Sequence, residues 1–150
     1  PAVRAAALVA LGERYVAEVR VELGRLLRDP SREHRLRALG ALRTSGDTRV
    51  GGAVMVAVED TGFSAKDPQE QEIFYTALAS LQDNRTLGHF RGVLDDMNLL
   101  RSRSVVSRQM LCVRGLTAVG TTEARALLQG YQGAWHLPAE LATAIRAALT

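Results

Sequence analysis

The chain has 150 residues, 47% of them apolar but only 5% aromatic, with 19 cations against 16 acids and a single cysteine. That length supports one domain with its own core, and Cys112 alone excludes an internal disulfide framework and suits a reducing compartment. No apolar run approaches the ~18 residues of a membrane span, and Glu13, Glu18 and Glu22 among arginines do not read as a secretory signal.

Eighteen of the cations are arginine and one is Lys66. Residues 1–60 hold ten Arg against eight acids, and residues 61–150 hold nine cations against eight acids. With no basic tail and no acidic block, charge alone selects no partner.

Along the chain, one pattern returns four times. It reads Ala7-Leu8-Val9-Ala10-Leu11, Ala38-Leu39-Gly40-Ala41-Leu42, Ala77-Leu78-Ala79-Ser80-Leu81 and Gly115-Leu116-Thr117-Ala118-Val119. Its last residues, Leu11, Leu42, Leu81 and Val119, are 31, 39 and 38 residues apart, the period of a two-helix repeat. Within each copy the large residues keep the helical i, i+3, i+4, i+7 rule, and the small ones let a neighbouring helix come close. Second helices lie between the copies. Val16, Val19, Leu23, Leu26 and Leu27 form one stripe, stopped by Asp29-Pro30. Leu87, Phe90, Val93, Leu94 and Met97 form another, and Ala124, Leu127, Leu128 and Tyr131 a third.

The predicted pairs are 1–12 with 15–28, 31–44 with 48–60, 68–82 with 85–97, and 104–119 with 122–132, followed by a helix from Pro138 to about Leu149. Residues 50–58 are open to two readings, because Val54, Val56 and Val58 alternate as in a strand; a lone strand would leave backbone groups unpaired, which favours helix. Gly46 suits a left-handed turn, and Asp47, Asp83 and Thr121 suit N-caps. Thr61–Asp67 and Asn98–Arg103 are the longer connectors and are expected to be mobile. The fold expected is all-α: a right-handed α-solenoid of about four helix pairs plus a terminal helix, in one domain over residues 1–150. The first and last helices are apolar nearly all round and there is no initiator Met. The expectation is an excised piece of a longer protein, or a module whose ends self-associate.

These residues resemble HEAT repeats, in particular the short bacterial and bilin-lyase-like kind. Val3 to Gly12 is the nearest match, Arg35 to Asp47 the next. The third and fourth units depart from the pattern, with Phe74 and Cys112 in place of the helix Arg and Gln82-Asp83 in place of Gly-Asp. The resemblance implies a bacterial, cytoplasmic scaffold that binds protein, since fold alone does not settle function.

Enzymatic relatives of that fold are tested residue by residue. Di-iron hydroxylases of this type use His-Glu pairs, but His34, His89 and His136 are followed by Arg35, Phe90 and Leu137. HEAT-like glycosylases stack bases on aromatics, whereas this chain has one tryptophan, Trp135, in a Gly-rich loop. Nothing marks a bilin pocket. Lys66 precedes Asp67 and not Ser or Thr, so it makes no phosphate loop, and Cys112 faces the leucine seam as an inert thiol. Asp95-Asp96 reads as a solvated turn, and Gln69 to Glu72 as a first turn where acids favour the helix dipole. No cofactor, metal or catalytic residue is expected.

A binding surface would sit on the second helices, opposite their apolar stripes. It comprises Arg25, Met55, Glu59, Arg85, His89, Arg125 and Gln129, with Met55 and Val56 as its apolar centre. Mixed charge suits a protein or peptide segment better than nucleic acid, which needs cations without interleaved acids. Nucleic acid stays open as the alternative, and Arg101 and Arg103 with Arg108 form a second, basic candidate.

Overall fold

Asp29 organises the first corner of the fold. A computed structural model describes residues 17–44, 50–81, 83–96 and 102–150, with the side chains of 17 and 18 excepted. The predicted helix over 1–12, the turn Gly46-Asp47 and the stretch 98–101 lie outside these residues. Among the described residues there are eight α-helices, one 3-10 turn and no strand. The chain divides into two units, Pro1–Phe63 and Ser64–Thr150, and each is described by itself.

In the first unit α1 (Ala17–Leu26) turns into α2 (Arg32–Thr44) at Asp29-Pro30. The Asp29 carboxylate accepts the Ser31 amide at 2.8 Å and lies 3.1 Å from His34 Nδ1. That amide hydrogen bond, with His34 and Arg35 nearby, holds the Asp29 carboxyl below the usual carboxylate range despite its burial. Buried Arg35 donates from Nη1 to the Asp29 carbonyl at 2.7 Å and the Pro30 carbonyl at 2.8 Å. The corner is therefore pinned by two charged side chains, and α2 buries Ala38, Leu39, Ala41 and Leu42 behind it. Helix α3 (Gly51–Glu59) settles the two readings of residues 50–58. Val54 and Val58, four apart, are 1% and 5% exposed, while Val56 is 53% exposed. A strand would have put all three on one face.

The connector that follows, expected to be a mobile one, carries local contacts of its own. Phe63 is buried in a 3-10 turn (Phe63–Ala65), and Gly62 donates its amide to the Asp60 carboxylate at 2.8 Å.

The second unit starts at α4 (Pro68–Leu81), where Asp67 Oδ1 accepts the Glu70 amide at 3.1 Å. Gln69 to Glu72 form its first turn with an acid at Glu70, as expected; Glu70 is 1% exposed and Gln71 half-buried. Gln71 Nε2 donates to the carbonyls of Ser64 and Lys66 at 3.2 and 2.7 Å, which ties the connector to the helix. Next come α5 (Asn84–Leu94), capped by Asp83, and α6 (Arg103–Val119). Gly120, at φ +62°, closes α6 by donating to the Leu116 carbonyl. Helix α7 (Thr122–Gly130) is capped by Thr121, and α8 (Ala139–Leu149) follows Pro138.

Helix α6 is the centre of this unit and touches α4, α5, α7 and α8, with α4 as its most extensive partner. Phe74, Tyr75 and Leu78 of α4 meet Cys112, Val113 and Leu116 of α6 in the core, with Phe90 set edge-on to Tyr75 at 6.2 Å. The repeat holds at its large and first small positions: Leu39, Leu78 and Leu116 are buried, as are Ala38, Ala77 and Gly115. It fails at the second small position, where Ala41 is buried but Ser80 and Ala118 are exposed, and Leu81 and Val119 are only half-buried. In α4 and α6 the seam is set one turn earlier, so their last turns project past the core. Helix α8 is also less apolar outward than its composition reads. Leu141 and Ile145 are buried, whereas Glu140, Thr143 and Arg146 are exposed.

Candidate functional site

Each unit carries candidate residues on the outward faces of its own second helices, and each unit is taken by itself. In the first unit Val21 and Arg25 are exposed on α1, one turn apart, and Arg28 is exposed just past its end. Arg25 pairs with Glu22 at 3.2 Å, an exposed contact of little energetic weight. On α3 Val56 and Glu59 are exposed and Met55 is half-buried. Helices α1 and α3 touch, with a Cβ on Gly24 falling 3.4 Å from that of Ala53. Val21 at 64% and Val56 at 53% are thus solvent-facing valines, one on each of two touching helices that also expose Arg25 and Glu59. Val56 was expected at this centre; Val21 was not, because it interrupts a run of alternating charges without standing out.

In the second unit Arg85 on α5 and Arg125 and Gln129 on α7 are exposed as predicted. His89 is half-buried, its ring edge-on to Phe90 at 6.1 Å. Gly88 and Gly92 on α5 and Ala126 and Gly130 on α7 are exposed as well. The basic candidate is reduced: Arg101 lies outside the described residues, Arg103 is exposed, and Arg108 is spent on Asp96 at 3.3 Å. The acidic turn is not simply solvated, because Asp95 accepts the Tyr131 hydroxyl at 2.7 Å. A shallow groove along α2 is lined by Arg32, Glu33, Leu36 and Arg37, with Arg37 paired to Glu33.

Among the described residues no three of His, Cys, Asp and Glu gather where they could hold a metal ion. No helix among them is long and apolar enough to cross a membrane. Cys112 is fully buried, and desolvation raises its thiol far above the ordinary range although Arg108 acts the other way. A protonated, enclosed thiol is a poor nucleophile. Native protein is therefore expected to leave Cys112 unmodified by a soluble disulfide reagent at pH 8 and to react stoichiometrically once unfolded in guanidinium; rapid native labelling would show the thiol to be accessible.

Sequence reasoning missed a recurrent polar tie. Arg35, Gln71 and Gln109 each reach from the start of a helix into the chain that precedes it. Gln109, 3% exposed, donates to the carbonyls of Val93, Leu94 and Asp96 at 3.2, 3.5 and 3.2 Å. Counted from Leu39, Leu78 and Leu116, Arg35 stands four residues back and the glutamines seven. The tie has shifted by about one turn, and Phe74 and Cys112 fill the place where Arg35 stands. No protein-family model matches the chain, and no curated protein sequence matches it.

Proposed function

We propose that the chain is a HEAT-like right-handed α-solenoid module that holds a protein segment on its second helices and performs no catalysis itself. Support for the solenoid comes from the neighbour pattern of the second unit. There α6 touches the helices one and two places away on either side, as stacked helix pairs do. Support for binding comes from one observation above the others. Val21 and Val56 face solvent on touching helices among charges of both signs, the composition of a protein-contact patch and not of a phosphate-binding stripe. Buried Cys112 and the separate surroundings of the histidines favour binding over chemistry. A cytoplasmic setting is part of the same reading.

The test is selection of binders from a random-peptide library, followed by titration of the Met55→Asp variant. Half-buried Met55 borders Val56, so a carboxylate there is expected to weaken the selected peptides at least tenfold and leave the thermal melt within a few degrees. Unchanged affinity, or loss of the fold, overturns the surface assignment. Tight, steeply salt-dependent binding of a labelled DNA duplex would favour the nucleic-acid alternative.

A further inference from the structure

The most exposed large apolar side chain among the described residues is Trp135, at 85%. It stands in the α7–α8 connector. That connector is braced: Gln132 donates its amide to Gln129, Ala134 to Tyr131 and Leu137 to Ala134, at 3.1, 3.1 and 3.3 Å. Leu137 is buried beneath it. His136 lies edge-on to Trp135 at 6.0 Å and to buried Tyr131 at 6.4 Å, so the exposed indole ends a row of rings that starts in the core. An aromatic presented this way loses little further conformational freedom when a partner covers it.

The same row of rings ends on a charge. The Tyr131 hydroxyl donates to Asp95 Oδ1 at 2.7 Å and fixes that carboxylate at the C-cap of α5, where the helix dipole is already negative. Burial, and then the Asp95 carboxylate, keep the Tyr131 phenol protonated and donating. Its neighbour Asp96 is neutralised by Arg108, but among the described residues Asp95 has no cationic partner. Asp95, in no ion pair among the described residues although Arg91 lies close enough to act on Tyr131, is linked to the open indole through the Tyr131 and His136 rings, two steps of 6.4 and 6.0 Å.

We propose that Trp135 and Asp95 form a docking point for an arginine-bearing peptide segment. Asp95 would accept the guanidinium while Trp135 packs against that group or against the apolar residue beside it. Guanidinium is the cation that fits, because it forks onto carboxylate and also stacks on aromatic rings, whereas an ammonium offers a point charge. The inference rests on the reading of the chain as a segment-binding module and gives one partner's chemistry.

Trp135 is the chain's single tryptophan, so its emission reports this site directly. The experiment titrates the whole chain with a blocked pentapeptide of alternating leucine and arginine, and with the same peptide carrying citrulline, a neutral isostere. A saturable change in Trp135 emission is expected with arginine, at least tenfold weaker with citrulline. The Asp95→Asn variant keeps an acceptor for Tyr131 and removes the charge; it is expected to weaken the arginine peptide at least fivefold with an unchanged far-UV spectrum. No saturable response up to millimolar peptide, equal response to citrulline, or indifference to Asp95→Asn overturns the proposal. If these fail while Met55→Asp still releases library-selected binders, the docking point is wrong and the segment-binding reading stands; if both fail, so does that reading.

Discussion

Replacing Gly115 by alanine is expected to destabilise the protein by about 1–3 kcal/mol net, although alanine is the better helix former by ~1 kcal/mol. A Cβ on Gly115 would lie 2.8 Å from the Tyr75 carbonyl oxygen, 2.9 Å from its carbon and 3.2 Å from the Thr76 nitrogen. All three are backbone atoms of α4, so no side-chain rotation relieves the overlap. Helices α4 and α6 would have to move apart along their largest contact, loosening Phe74, Tyr75 and Leu78 against Cys112 and Leu116. Gly88 and Gly92 supply the control, for a Cβ there meets nothing within 4 Å. Alanine at either is expected to stabilise by roughly 0.5–1 kcal/mol through helix propensity alone. Urea unfolding of the three variants checks the contrast in sign. Gly115→Ala at or above wild-type stability would mean that the helices do not approach as described.

Gly115 also marks where reading the chain succeeds and where it stops. Its place in the repeat, opposite Ala38 and Ala77, announces a small residue in a helix seam, and the seam is there. That the fourth copy needs glycine, and not merely a small residue, depends on the height of the Tyr75 carbonyl, which no periodicity encodes. Helix existence was legible because a 3.6-residue period is a local property of side-chain spacing. The alternating valines of α3 were locally ambiguous, and burial of Val54 and Val58 against exposure of Val56 decides them. The exposed candidates Arg25, Arg85, Arg125 and Gln129 could be placed by a helical wheel, since solvent faces follow from the apolar stripe. Trp135 could not: a Gly-rich loop says nothing of whether its aromatic turns in or out. The pairing of Tyr131 with Asp95 joins residues 36 apart in sequence, and no pattern within either segment points to the other.

The polar ties were hidden for the same reason, and one of them should govern stability as strongly as any core contact. Gln109 serves the Val93 and Leu94 carbonyls at the C-terminus of α5 and that of Asp96 just beyond it, where a helix end leaves acceptors short of intrahelical partners; the Val93 carbonyl also takes the Asp96 amide at 3.4 Å. Gln109→Leu keeps the volume and removes the donor, leaving buried carbonyls without it at an expected cost of about 1–3 kcal/mol. Gln109→Glu should cost more at neutral pH, because a carboxylate would face those carbonyl oxygens in a site 3% exposed. Burial and the carbonyl dipoles would raise that carboxyl above its unfolded value of ~4.3, so the folded state would favour the protonated, hydrogen-donating form. A raised folded value means stability is greatest below the unfolded value and falls as pH rises through the range between the two. The deficit of Gln109→Glu relative to Gln109→Leu is therefore expected to shrink, or reverse, as the pH of urea unfolding is lowered from 7 to 4. Gln71→Leu, at a half-buried tie where water can substitute, should cost less than Gln109→Leu. Equal costs at the two glutamines, or a Glu variant whose deficit ignores pH, would show that Gln109 does not hold the end of α5.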